Sequence, residues 1–271
     1  VNTERIQPSG ERVKRGILGG YYPEMNTAMF YKDIKTFFRD TGQWSQVFII
    51  GALIMIYVYN FKSIPINALS GFPFIKEIMV LVNLVLSGLV LSAVSARFIY
   101  ASVSLEGQAF WIIRTSPVDM NRFIRSKFLY GFIPVTLLML VLVFLTNLAM
   151  NAGGILMYLS LGTVLMLCVS VSGLGTGFGA IYPKFKYENI ASVSMSLGRM
   201  AFMLIAFSVV IATLSLEGWI FYVYNLKGVM NLSGKIQIAL CIMLILVVNA
   251  AAFYLPMRIG KKKLQEQTGI I

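Results

Sequence analysis

The sequence predicts an all-α polytopic membrane protein: six transmembrane helices preceded by an N-terminal amphipathic elbow helix. Three observations carry the prediction. The chain has six long uncharged apolar runs, it is 58% hydrophobic with mean hydropathy +0.77, and its positive charge is lopsided. The runs are Trp44–Asn60, Ile78–Ala96, Phe128–Asn147, Gly154–Ile181, Met200–Leu216 and Ile236–Met257. Helices of that length fall within or above the range that crosses a hydrocarbon core of ~30 Å.

Charge sets the orientation. With residue 1 inside, Arg and Lys on the inner face number seven in the N-terminal segment and five between Arg97 and Lys127. Three more lie between Lys184 and Arg199, and four in the C-terminal tail. Only Lys62, Lys76, Lys227 and Lys235 of the 23 fall outside, so the positive-inside bias places both termini in the cytoplasm of a cell membrane. A net charge of +12 accordingly reads as topology and attraction to anionic headgroups, not as a nucleic-acid surface. Cys168 and Cys241 fall inside apolar runs and the chain has no His, so no disulfide, metal centre or histidine base is expected.

Three regions are expected: a cytosolic linker over 1–26, a six-span domain over 27–263 and a cytosolic tail over 264–271. The linker is polar and broken by Pro8, Gly10, Gly16, Gly19, Gly20 and Pro23, so it does not read as a cleavable signal. In Thr27–Asp40, Phe30, Ile34, Phe37 and Phe38 share one face, and Lys32, Lys35 and Arg39 the other. That pattern suits a helix lying in the inner headgroup layer, or a solvent-facing helix packed on a partner. Trp44 sits where an interfacial anchor belongs.

Asn147, Asn151, Gly153 and Gly154 supply a turn between the third and fourth spans, and Pro134 sits where it could kink the third. Glu217, Trp219, Phe221, Tyr222 and Tyr224 read as an outer loop with a short interfacial helix. On that division no span carries an ionisable residue, which counts against an ion-coupled carrier. Mild polar groups such as Asn83, Ser87, Asn147, Ser170 and Thr213 are expected to face the interior.

The glycines at 173, 175, 177 and 179 fail both the dinucleotide fingerprint and the phosphate-loop pattern. They form two interleaved small-xxx-small pairs, Gly173/Gly177 and Gly175/Gly179, which suit close helix packing. The expectation is that the chain has no nucleotide site of its own.

The most informative loop runs from Ser104 to Lys127. A short helix over Glu106–Arg114 would display Phe110 and Trp111, as an interfacial anchor or as a plug for a pocket on a partner. Glu106 and Gly107, then Pro117, then Lys127 follow an order that resembles the first cytoplasmic loop of ABC-2-type transporter permeases. Ser172–Asn189, with Tyr182, Pro183 and Phe185, and the opening Phe38-Arg39-Asp40-Thr41, are similar to a subgroup of ABC exporters. The resemblance implies a permease subunit coupling ATP hydrolysis to efflux.

In that reading Glu106, Gly107, Gln108, Phe110, Trp111, Arg114 and Pro117 form a coupling helix. Phe185, Tyr187 and Glu188 make a smaller contact in the second cytoplasmic loop. The chain is then not an enzyme: ATP and magnesium belong to an ATP-binding-cassette ATPase subunit. A second permease half would complete the assembly, as homodimer, heterodimer or the earlier half of a longer chain. The lipid bilayer, and no nucleic acid, is the remaining partner. The alternatives are a secondary carrier or channel, or a membrane assembly subunit that moves nothing.

Overall fold

The computed structural model describes residues 24–39, 41–63, 75–107, 110, 120–183, 196–227 and 232–268; these carry helices and, among the described residues, no strand. The helices are α1 (Glu24–Arg39), α2 (Thr41–Lys62), α3 (Ile75–Phe98), α4 (Ala101–Ser104), α5 (Met120–Ala149), α6 (Ile155–Ile181), α7 (Leu197–Lys227) and α8 (Leu232–Thr268).

Five stretches are long and apolar enough to cross a membrane: Ile75–Ser104, Met120–Ala149, Ile155–Ile181, Leu197–Tyr224 and Gly234–Glu266. In α2 the apolar stretch is shorter, Phe48–Lys62. The outward surface agrees. Met55, Phe48, Tyr158 and Met243 are 74%, 71%, 78% and 67% exposed, part of an apolar exterior too extensive for a face turned to water.

The hub is α6, which packs on α3, α4, α5, α7 and α8. Its second half is buried almost without interruption from Leu167 to Gly177, around the fully enclosed Cys168 and Val171. From α5, Met139, Leu142 and Val143 join them in the same core. Removing such side chains from lipid gains little by itself, so the interface must depend on close approach and interhelical hydrogen bonds.

Between α5 and α6 the chain reverses in five residues. The Ala152 amide donates to the Asn147 carbonyl at 2.9 Å, and Asn151 and Gly154 take φ of 50° and 66°. Gly154 suits that left-handed region because it has no Cβ, and Asn is among the few side chains that tolerate it. Elsewhere the helices outrun the apolar runs: α5 begins at Met120 and takes in Arg122, Arg125 and Lys127, and α8 extends to Thr268. At 37 residues α8 is about 55 Å long, well beyond the hydrocarbon thickness.

One difference changes the chemistry. The expected outer loop at Glu217 is absent: α7 continues as one helix through Lys227, so Glu217 lies within an apolar helix long enough to cross a membrane. A single acidic residue between Leu216 and Gly218 does not stop a helix, because Glu is itself a good helix former.

Candidate functional site

A cluster of ion pairs lies where α1, the end of α4 and the first turns of α5 meet. Lys127 donates to Asp33 Oδ2 at 2.8 Å and also pairs with Glu106. Lys32 reaches the two Glu106 oxygens at 2.8 and 2.7 Å. Side-chain exposure sorts the four: Lys127 5%, Glu106 7%, Asp33 8%, but Lys32 50%. Two carboxylates thus hold one buried ammonium, with Lys32 capping the cluster from the surface.

Burial alone would raise the Glu106 carboxyl above its ordinary pKa, but Lys127 and then Lys32 outweigh it, and the net shift is downward. Lys127 also lies 5.7 Å from the Phe123 ring centroid, a second favourable contact for its charge.

Beside the cluster is a small second core: Val103, Phe110, Met120, Phe123, Ile124 and Leu264. The Phe110 and Phe123 rings meet edge to face at 5.9 Å, and Leu264 brings the far end of α8 to the same spot. Phe110 is 8% exposed, so it faces inward. Gly107, also buried, takes φ of 52° in the turn after Glu106. Gln108, Trp111, Arg114 and Pro117 lie outside the described residues, as do Phe185, Tyr187 and Glu188.

The four glycines of α6 face two directions. A Cβ on Gly173 would strike the Phe253 ring, and one on Gly177 would lie 2.6 Å from the Pro256 carbonyl oxygen, both on α8. At Gly179 the obstacle is the Tyr100 carbonyl oxygen at 2.5 Å, and at Gly175 it is Ile99 at 3.1 Å. The approach is reciprocal at Gly260, whose Cβ would sit 2.6 Å from the Gly177 carbonyl oxygen.

The polar interior residues meet in pairs across helices. Tyr57 donates to Asn83 Oδ1 at 2.8 Å, Asn83 donates to Thr146 at 2.9 Å, and Asn147 to Ser160 at 2.5 Å. A second set joins Ser170, Asn249 and Thr213 through bonds of 2.7 and 3.0 Å. Sequence reasoning missed Glu217. It is 8% exposed, its Oε1 accepts from Thr163 at 3.0 Å, and among the described residues its Oε2 has no hydrogen-bond partner. The available signal was the continued apolar and aromatic character from Trp219 to Tyr224.

A family model described as "Putative ATP-binding cassette" matches residues 7–268. No curated protein and no solved structure matches. The family match overturns the resemblance to ABC-2-type permeases, and with it the reading as an exporter's permease subunit. It also overturns the expectations that the chain is not an enzyme, has no nucleotide site, and leaves ATP and magnesium to a partner, because the family's description names an ATP-binding cassette. The residues behind the resemblance have a local explanation: Glu106 and Lys127 pair with each other. Their spacing therefore answers to an internal ion cluster.

The described residues do not fit a nucleotide cradle. Triphosphate is held by backbone N–H groups of a glycine-rich loop entering a helix N-terminus. The Gly173–Gly179 run instead lies inside α6, and α8 or the turn at Ile99 and Tyr100 occupies the space at each of its glycines.

Proposed function

The chain belongs to the ATP-binding-cassette family whose model spans residues 7–268, and on that premise we propose that it is a membrane-embedded assembly subunit of an ATP-binding-cassette system. It has six spans, with α2 as the first and α1 as an interfacial elbow on the cytoplasmic side, and both termini face the cytoplasm of the cell membrane. The cluster of Lys32, Asp33, Glu106 and Lys127 carries this reading. It fastens α1 to the base of the bundle on the side where the positive charge accumulates. The loops that carry Gln108, Trp111, Arg114 and Pro117, and Phe185, Tyr187 and Glu188, are the cytoplasmic stretches that meet a transporter partner. The α6 glycines set the distance between α6 and α8.

Single cysteines in a background lacking Cys168 and Cys241 test the arrangement. A cysteine at Lys35 is labelled by a charged maleimide only from the cytoplasmic side, and one at Lys62 only from outside. Labelling of both from one side overturns the topology. Release of the chain by alkaline extraction overturns the embedding.

Glu217 favours a second reading, a carrier or channel for a cation. An ionisable group at membrane depth with an oxygen left over is a functional position by default. Ion flux into liposomes that disappears in E217Q supports it, and equal flux in E217Q rejects it.

A further inference from the structure

We propose that the cavity between α1 and the bundle holds one acyl chain of an anionic phospholipid, with the lipid phosphate beside Lys35 and Arg39, where the cationic face of α1 borders the apolar one. The cavity measures about 440 Å³ and is walled by Phe30, Ile34 and Phe37 of α1, Ile50 of α2, Phe98 of α3 and Leu138 of α5. That volume lies in the usual range for a small-molecule site. Among the described residues, Tyr130 is the lone lining side chain with a polar atom. A water needs two to four polar partners to be stable in such a space, so the occupant is hydrocarbon.

The mouth and the charges select the source. Phe38 and Ile133, both lining the cavity, are 60% and 50% exposed, so the opening lies on the apolar exterior of the bundle. Lys35 and Arg39 are exposed on α1 next in sequence to the lining residues Ile34 and Phe38, and exposed Arg97 precedes Phe98. The acidic neighbour on α1, Asp33, is already held by Lys127. Among the described residues next in sequence to these lining ones, the charges at 35, 39 and 97 are cationic, and their complement is a phosphate with a negatively charged headgroup. The inference rests on the interfacial placement of α1 proposed above.

The test uses the full chain in mild detergent, titrated with phosphatidylglycerol or phosphatidylcholine and read by native mass spectrometry. One phosphatidylglycerol is retained per chain, with an affinity about tenfold above phosphatidylcholine. L138W reduces retention of both lipids, whereas L204W, on the outer surface, leaves both unchanged. K35E/R39E on the exposed face keeps the fold and erases the preference. The proposal is overturned by wild-type retention in L138W, by a preference that survives K35E/R39E, or by a retained molecule lacking phosphate. Alkaline extraction of the same membranes separates the two ideas. A chain that is released sinks the membrane embedding on which the placement of α1 depends, while an embedded chain that retains no lipid sinks the cavity alone.

Discussion

Lys127 Nζ lies 2.8 Å from Asp33 Oδ2, joining the second turn of α5 to a helix 94 residues earlier in the chain. Breaking a buried pair strands a charge, whereas breaking an exposed one does not. E106Q, which leaves Lys127 with Asp33 alone, is expected to cost about 3 kcal/mol. K32A removes a half-exposed partner and is expected to cost about 0.5 kcal/mol. Thermal unfolding in detergent measures both, and similar losses would show that the buried ammonium is not the anchor.

The same cluster gives a pH dependence. The folded Glu106 pKa lies below its unfolded value, so its contribution to stability is complete above the ordinary glutamate value of about 4.3 and is lost as pH falls through the folded one. Wild-type melting temperature is expected to drop more steeply than that of E106Q as the pH is lowered below that value. Parallel curves would assign the acid sensitivity elsewhere.

Two alanine substitutions in α6 should act in opposite directions. G177A drives a methyl into the Pro256 backbone and is expected to lose about 1–3 kcal/mol. G162A meets nothing within 4 Å and should gain up to about 1 kcal/mol from helix propensity. Equal effects in thermal unfolding would mean that α6 and α8 separate more easily than their contact implies.

Asn83 tests the interior hydrogen bonds. N83A removes the side-chain amide that accepts from Tyr57 and donates to Thr146, and is expected to cost about 1–2 kcal/mol. A double cycle with T146A should show coupling; simple additivity would indicate that water replaces the lost bonds.

ATP offers a mapping experiment. Because the α6 glycines form no cradle, adducts of an azido-ATP probe on this chain are expected on peptides outside α6. Adducts within α6, read by peptide mass spectrometry, would contradict the packing at Gly173–Gly179.

Much of the helical layout was legible, because a bilayer forces a long uncharged run into a helix. The fourth run, Gly154–Ile181, differs from α6 by one residue, since Gly154 and Pro183 mark its ends by backbone chemistry. Glu217 was misread because a charge was taken as the edge of a span, a rule that fails where neighbouring helices enclose the carboxyl. The ion cluster was invisible for another reason. Glu106 lies 74 residues from Lys32, and no local period links them. Glu106 and Lys127 stood out in the sequence, but as a family signature instead of as each other's counter-ions.

Uninterrupted α8 carries a mechanical corollary. Gly260 abuts α6, and four residues on Leu264 plugs the small core beside Phe110. Since each helical residue advances about 100°, a one-residue insertion between them would swing Leu264 by more than a quarter turn, out of its socket. The α6–α8 contact and the small core around Leu264 are therefore torsionally geared: neither can rotate about the α8 axis without turning the other.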